Sequence, residues 1–213
     1  MMDISKLKEI AINEVLNPTF ELTKQYLQAN ELYFFNSTPQ IDDVEIDREA
    51  NTAAVYFPIK KENFYFVIYI ENLEVNWMGM SAGNGVCLFA CSEVLSAEEL
   101  VGYLGFEPTE RWNINDKTKF GGKRKKSGII YQPIEKKTGE VEDKLTNLLN
   151  RLLPYKEEIS KLSDVASVEI QVTYYGYKDE MWGFHFDKKI IKKLSDLGLD
   201  IDIDLYAGGN DLE

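Results

Sequence analysis

His185 is the only histidine of the chain, and a Ser-His-Asp or Cys-His site would have to use it, because that chemistry needs a base titrating near neutral pH. It lies between Phe184 and Phe186 in a predicted strand, where a histidine is typically a half-buried sheet residue. Cys87 and Cys91 stand neither at a predicted helix N-terminus nor beside a cation, so nothing in the sequence activates their thiols. Strand geometry separates their Cα atoms by about 13 Å, too far for a disulfide. We therefore predict no catalytic residue and a non-enzymatic protein.

Metal ligands are sparse as well, since one histidine and two cysteines at this spacing do not make a zinc site. Asp200, Asp202 and Asp204 alternate along the predicted last strand, so they share one face at intervals of about 7 Å. They could hold calcium, although calcium loops wrap their ligands around the ion and a straight strand spreads them. A solvated sheet face is the alternative, and we expect neither a metal nor a cofactor.

A basic run follows residue 115. Six cations and one acid, Asp116, give it a net charge of +5, which leaves −17 on the remainder of a chain whose total is −12. The cations are Lys117, Lys119, Lys123, Arg124, Lys125 and Lys126, and Phe120 and Gly121-Gly122 stand among them. Such a run could bind phosphate or nucleic acid, or could be a mobile, solvated loop. It lacks the strand-to-helix context of a phosphate loop, so no nucleotide cradle is predicted.

An acidic run lies in the first half of the chain and alternates with Val44 and Ile46. Its acids are Asp42, Asp43, Glu45, Asp47 and Glu49. One interpretation is an edge strand that charge protects from pairing with other chains. The other is a face that meets a basic protein, for which electrostatic steering speeds association. These five acids are the candidate partner-binding residues.

Composition bounds the class of protein. With 213 residues, 44% of them hydrophobic and 28% charged, the chain can bury a core as one large or two small globular domains. It has no apolar run of about 18 residues and no secretory signal at its start, so we expect a cytoplasmic protein without a membrane partner. Its net charge of −12 disfavours nucleic acid, whose phosphates would be repelled. A basic protein partner and plain solubility both remain open.

Hydrophobic periodicity predicts an α+β fold that begins with an αα-ββββ segment. Its predicted helices cover residues 3–16 and 19–29, and its predicted strands cover 32–35, 53–58, 64–70 and 75–80. Residues 64–70 are apolar on both faces, so this strand is predicted to be central in its sheet.

The second half is predicted as a β-α-β-α-β-β-α-β sandwich, compatible with a ferredoxin-like arrangement. The predicted strands are 86–91, 128–133, 168–174, 181–186 and 199–205, with helices at 96–104, at 141–162 (interrupted at Pro154) and at 188–197. Ser96 and Glu99 predict a capping box, and Gly105 is predicted to end that helix in a left-handed conformation. Asp187 and Gly198 are predicted to cap the last helix.

Residues 81–85, Ser-Ala-Gly-Asn-Gly, are the best candidate for a domain boundary, and we predict domains at 1–80 and 85–207. The Asn84-Gly85 pair between two apolar runs is also a hairpin signal, in which case the two halves would share one sheet.

Four pieces of the second half resemble a bacterial family, domain of unknown function 4279: VCLFACS, SAEELVGYLG, FEPTERW and GLDIDIDLYA. The resemblance covers residues 85–207 and leaves residues 1–80 outside. It implies an α+β domain of bacterial cytoplasmic proteins, with no established catalytic residues to transfer. Some small acidic bacterial proteins of this kind resemble immunity proteins of toxin systems.

The leading hypothesis is therefore a non-enzymatic cytoplasmic module that binds another protein, and its sharpest form is an immunity-like protein that covers a basic toxin. The alternative is a small-ligand or regulatory sensor with a pocket between the two halves. The candidate pocket residues are Tyr56, Phe64, Trp77 and Trp112. The sequence indicates neither the identity of the partner or ligand nor the oligomeric state.

Overall fold

The computed structural model describes residues 3–212, whose internal contacts divide into two units. The N-terminal unit comprises residues 3–83, 174–182 and 205–212, and the C-terminal unit comprises residues 84–173 and 183–204. The chain thus first leaves the N-terminal unit within the segment 81–85 and later returns to it twice. Among residues 3–212, helices that are long and apolar enough to span a bilayer do not occur.

The N-terminal unit begins with helices α1 (Ile4–Leu16) and α2 (Glu21–Ala29). Asp3 caps α1 by accepting a hydrogen bond from the amide of Ser5 at 3.1 Å. A two-stranded ribbon and four longer strands follow: β1 (Phe34–Phe35), β2 (Thr38–Pro39), β3 (Asp43–Asp47), β4 (Thr52–Pro58), β5 (Tyr65–Glu71) and β6 (Glu74–Ser81). The predicted αα-then-β order is confirmed.

The four longer strands form an antiparallel meander in the order β3-β4-β5-β6. The apolar strand β5 is an inner strand, as its two-sided pattern predicted. One face of the sheet packs with α1 and α2 into the core of the unit, which includes Leu7, Val55, Phe66, Ile68 and Tyr177. Alternation along each strand then places the neighbouring residues on the other face, where the candidate site lies.

The elements that follow β6 in the chain are β7 (Gly83–Ser92), α3 (Ala97–Gly102), β8 (Glu110–Trp112), β9 (Ser127–Tyr131), α4 (Val141–Leu152), a 3-10 turn (Leu153–Tyr155), α5 (Lys156–Ser163), β10 (Ser167–Tyr177), α6 (Lys188–Leu197) and β11 (Asp200–Gly208). Their strands form a five-stranded sheet in the order β11-β10-β7-β9-β8. The predicted α+β class is confirmed. The elements β7 to β10 follow the chain order β-α-β-β-αα-β, in which α4 and α5 together occupy the second helical position, and this order is compatible with a ferredoxin-like arrangement.

The caps of α3 and α6 confirm three of the predicted signals. Ser96 and Glu99 form a reciprocal capping box, with the amide of Ser96 donating to Glu99 Oε2 at 2.8 Å. Asp187 accepts from the amides of Lys189 and Ile190, and Gly198 ends α6 in the left-handed conformation.

The predicted left-handed end of α3 at Gly105 is wrong, because the helix already ends at Gly102 and Gly105 has no positive φ. The packing gives Gly105 a different role. A Cβ added there would lie 2.7 Å from the ring of Tyr155, so this glycine permits a close approach of the ring to the backbone.

The predicted strand at residues 181–186 is also wrong. This segment has no strand structure, and β10 already has β7 on one side and β11 on the other, so neither edge of β10 can accept a hairpin partner. The chain turns after Tyr177 instead, and the half-buried carboxylate of Glu180 accepts hydrogen bonds from the Tyr26 hydroxyl and from the amide of Met80. Burial raises the pKa of Glu180.

The hairpin alternative at Asn84-Gly85 is excluded by the sheet order. Strands β6 and β7 belong to different sheets, and both residues lie inside β7 rather than in a turn. Asn84 is buried and makes structural contacts: its side chain donates to the carbonyl of Gly139 at 2.7 Å and accepts from Lys144 Nζ at 2.8 Å.

Candidate functional site

The acidic run forms the outermost strand of the four-stranded sheet. β3 pairs with β4 along its whole length, and within residues 3–212 no further strand extends this sheet beyond β3. Asp43 and Glu45 are half-buried, whereas Asp42, Asp47 and Glu49 are exposed. The position of the acidic run on an edge strand is therefore confirmed, whereas the protection of this edge by charge and its use by a partner stay predictions.

Two tyrosines of the neighbouring strands hold carboxylates of this run. The hydroxyl of Tyr56, on β4, donates to Glu45 Oε2 at 2.6 Å. Tyr65, on β5, is hydrogen-bonded to Asp42, and burial together with this nearby carboxylate raises the pKa of the Tyr65 phenol. The Tyr65 phenol therefore stays protonated at neutral pH, and the Tyr56 hydroxyl orients the Glu45 carboxylate to which it donates.

Backbone amides hold two other acids of the run. Asp43 Oδ1 accepts from the amide of Val44 at 2.8 Å. Asp47 Oδ1 accepts from the amides of Glu49 and Ala50 at 2.9 and 3.0 Å, which closes the turn between β3 and β4. Asp47 thus has a structural role in addition to its exposed charge.

The acids that alternate along β3, Asp43, Glu45 and Asp47, lie on the same side of the sheet as a set of aromatic residues, which we call the aromatic face. It comprises Tyr56, Tyr65, Tyr69 and Trp77. The register across the four strands produces two adjacent rows of directly opposed residues, Glu45–Ala54–Tyr69–Trp77 and Asp43–Tyr56–Val67–Gly79. At about 4.8 Å per strand, each row runs about 14 Å from the acidic edge to β6. Most of this face is buried, since Tyr56, Tyr65 and Val67 are at most 7% exposed, so only the exposed acids and the indole of Trp77 are accessible to cationic groups such as lysine and arginine side chains.

Packing orders the rings of the aromatic face. Tyr56 and Tyr65 meet edge to face, with ring centroids 6.0 Å apart, and Tyr56 is only 4% exposed. Tyr69 and Trp77 lie 5.3 Å apart, and the indole of Trp77 covers Gly79, where an added Cβ would lie 2.7 Å from the ring. Trp77 remains 46% exposed and is therefore the member of the face most accessible to a ligand.

The other two candidate pocket residues lie elsewhere. Phe64 is 2% exposed and packs 5.6 Å from Tyr177 in the core on the opposite side of the sheet. Trp112 belongs to the C-terminal unit, where its indole N–H donates to the carbonyl of Lys126 at 3.0 Å and the Arg124 guanidinium lies 4.3 Å from its ring centroid. Of the four candidates, the structure brings only Tyr56 and Trp77 onto one face.

The residues considered for catalysis do not form a constellation in the C-terminal unit. His185 lies in the irregular segment before α6, where its amide donates to Glu142 Oε1 at 2.7 Å and its side chain borders a shallow depression with Glu140 and Asp187. Cys87 and Cys91 are free thiols on β7. Burial raises the pKa of Cys87 to about 11 and also raises that of Cys91, so both thiols are protonated at neutral pH.

The three aspartates of the last strand are exposed along β11, which is the edge of the five-stranded sheet. Within residues 3–212, groups of three or more histidine, cysteine, aspartate or glutamate side chains placed to hold a metal ion do not occur. Asp200, Asp202 and Asp204 therefore form a solvated, charged edge.

Sequence reasoning missed Tyr65 and Tyr69 as members of the aromatic face. The signal was present in residues 64–70, whose two-sided apolar pattern requires a second buried face on the sheet. What the sequence lacked was the register that places these tyrosines beside the acids of β3.

Comparison with known proteins gives one family. A family model described as "Domain of unknown function (DUF4279)" matches residues 82–208, the span from the start of β7 to the end of β11. The chain matches none of the curated proteins and none of the solved structures with which it was compared.

Proposed function

Since the chain belongs to the DUF4279 family, a family described by its unknown function, we propose a function from the candidate site alone: the protein binds a basic partner protein through the acidic edge strand β3. The observation that carries this proposal is the position of the acidic run. Five carboxylates lie within eight residues on or next to an edge strand, beside an ordered aromatic face.

The acids of this edge are partly held in fixed orientations, which supports a role in binding beyond solubility. Glu45 and Asp42 are oriented by the phenols of Tyr56 and Tyr65, so part of the side-chain entropy that binding would cost is already lost in the folded protein. The exposed carboxylates of Asp42, Asp47 and Glu49 remain accessible to lysine and arginine side chains. The exposed indole of Trp77, about 14 Å from the edge, adds a surface for cation–π contact.

The overall charge of the chain also favours a basic partner. The net charge of −12 steers cationic proteins towards the surface, and a local cluster of acids at an edge fixes where they dock. A small acidic protein that covers a basic toxin would use these features, and an immunity-like role is the sharpest form of the proposal.

The test begins with capture from the native lysate at low and high salt, followed by affinity measurement with the purified partner. The decisive variant reverses Asp42 and Glu49 to lysine and leaves unchanged both Glu45, which Tyr56 holds, and Asp47, which closes the turn between β3 and β4. We expect the affinity to fall at least about 100-fold, because reversing two charges at an interface costs several kcal/mol. The affinity of the unmodified protein should also fall steeply with salt.

The matched control reverses Asp202 and Asp204 to lysine, which changes the net charge by the same amount on the other acidic edge strand. Equal losses in both variants would assign the effect to net charge and contradict a site at β3. A protein that captures no partner, and whose melting temperature a metabolite raises in a dose-dependent way, would favour the small-ligand sensor instead.

A further inference from the structure

The basic run folds into a hairpin between β8 and β9, which we call the basic hairpin (residues 113–126). Lys117 and Lys123 form a cross-strand bridge, and the tip is a tight turn in which the amide of Thr118 donates to the carbonyl of Gly122 at 2.8 Å. At the base, Trp112 stacks on Arg124 and donates to the carbonyl of Lys126. The cations are therefore held on an ordered element rather than on an irregular loop.

The charges of the hairpin divide into two groups. Arg124 makes a cation–π contact with the ring of Trp112, and Lys126 forms an ion pair with Glu93 at 3.1 Å. The other four cations are exposed, and within the described part of the chain none of them takes part in an ion pair. They are Lys117, Lys119, Lys123 and Lys125.

The opposed pair of lysines costs the isolated protein stability. Like charges directly across a two-stranded ribbon repel, and such ribbons are marginally stable by themselves. Lys117 and Lys123 are nevertheless direct cross-strand partners. An anion bound between them would remove this repulsion, so the arrangement favours a ligand that presents phosphate groups.

Phe120 indicates that the ligand of the hairpin also has an apolar part. Its side chain is 99% exposed at the tip of the hairpin, and Gly121 beside it has no neighbouring atoms that a Cβ would contact. A fully exposed phenylalanine among four lysines is the pattern of a membrane-surface anchor, in which the ring enters the interface and the cations meet anionic headgroups.

A lipid surface fits the hairpin better than single-stranded nucleic acid. Nucleic-acid sites combine a charged groove with several stacking rings, whereas the hairpin tip offers one ring. A nucleic acid that extended beyond the hairpin would also be repelled by the rest of the chain, which carries a net charge of −17 outside this segment. A flat lipid surface can be contacted by the tip of the hairpin alone. Phe120 lies eight residues beyond Trp112, which is at most about 26 Å along a strand. This reach exceeds the Debye length of about 8 Å at physiological salt, so repulsion between the lipid surface and the acidic remainder of the chain is screened.

We propose that the basic hairpin docks the protein reversibly on an anionic phospholipid surface, with Phe120 in the interface and the four exposed lysines on lipid phosphates. The expectation of no membrane partner rested on the lack of an apolar spanning run and of a secretory signal, and peripheral docking needs neither. The lysines lie outside β3, so this proposal is independent of the proposed function and would fail or hold separately from it.

The test measures partition of the full chain onto vesicles of phosphatidylcholine mixed with phosphatidylserine, against vesicles of phosphatidylcholine alone. We expect binding only to the anionic vesicles, and its loss at about 1 M salt, where the Debye length is about 3 Å. Replacing Lys117, Lys119, Lys123 and Lys125 by glutamine should weaken partition at least about 100-fold. Phe120→Ser should weaken it about tenfold or more through the lost apolar contact.

The matched control replaces four lysines of α6 by glutamine: Lys188, Lys189, Lys192 and Lys193. It changes the net charge equally and should bind the anionic vesicles as well as the unmodified protein. Absent or equal binding to both kinds of vesicle, or an equal loss in the α6 control, would overturn the proposal. Tighter binding to a single-stranded oligonucleotide at the same phosphate concentration would assign the hairpin to nucleic acid instead, and melting temperatures would confirm that every variant is folded.

Discussion

Two edge strands of this protein share one sequence pattern and differ in their surroundings. In β3, Asp43, Glu45 and Asp47 alternate with Val44 and Ile46, and in β11 three aspartates alternate with isoleucines in the same way. Each strand ends its sheet. On β3, Asp43 and Glu45 are half-buried and the acids receive hydrogen bonds from the Tyr56 phenol and from amides, whereas the aspartates of β11 are exposed.

Alternation of acids with aliphatic residues therefore predicts an edge strand but does not predict the function of that edge. On β11, the charges face water along an open edge, where like charges are expected to oppose pairing with other chains. On β3, residues of β4 and β5 orient the same kind of charge next to the aromatic face. The neighbouring strands, rather than the edge itself, make β3 the better candidate for recognition.

The largest contrast should come from the tyrosines of the two regions. Tyr56→Ala removes a ring that is 4% exposed and should lower the free energy of unfolding by about 3 to 4 kcal/mol through the cavity it leaves. Tyr206→Ala, on β11, removes a ring that is 48% exposed and stacks on Tyr175, and should cost about 1 kcal/mol. Denaturant unfolding of both variants measures the difference, and equal losses would mean that the aromatic face is not a packed layer.

A smaller effect isolates the phenol–carboxylate contact on β3. A double-mutant cycle of Tyr56→Phe and Glu45→Gln should give a coupling energy of about 1 to 2 kcal/mol, the range for hydrogen bonds to a charged group. The control cycle pairs Tyr56→Phe with Glu49→Gln, an exposed acid in the turn at the far end of β3. A coupling near zero in the first cycle would show that Tyr56 does not orient Glu45 in solution.

Alkaline titration tests the second phenol. Burial, and then the carboxylate of Asp42, raise the pKa of Tyr65 above the unfolded value of about 10. The folded protein therefore holds this proton more tightly than the unfolded chain, so the stabilising contribution is complete below about pH 10 and is lost as the pH rises through the folded-state pKa. Asp42→Asn should move the ionisation of Tyr65 to lower pH, as followed by ultraviolet absorbance. Asp202→Asn should leave it unchanged, and an unchanged Tyr65 in Asp42→Asn would remove Asp42 as a cause.

The sequence predicted those features that local chemistry determines. The capping box of α3, the ends of α6 and the inner position of β5 follow from neighbouring residues or from alternation, and the structure confirms them. The predicted strand at 181–186 failed because both edges of β10 are occupied by strands distant in sequence. The candidate site shows the same limit: the acids were found from their pattern, whereas Tyr65 and Tyr69 depend on a register that only the folded sheet defines.

The smallest effect on stability should come from neutralising the β11 edge. Replacing Asp200, Asp202 and Asp204 by asparagine should change the free energy of unfolding by less than about 0.5 kcal/mol, because these side chains are exposed on an edge strand. The same variant should associate with itself as its concentration rises, since the like charges that oppose edge-to-edge pairing are gone. Sedimentation velocity over a range of concentrations would detect this association.

The counterpart on β3 combines Asp42→Asn with Glu49→Asn. This variant should lose partner affinity without comparable self-association, because Asp43, Glu45 and Asp47 still charge that edge. Equal self-association of the two variants would show that the acids protect both edges from pairing in the same way. The phenols of β4 and β5 would then not distinguish the β3 edge from the β11 edge.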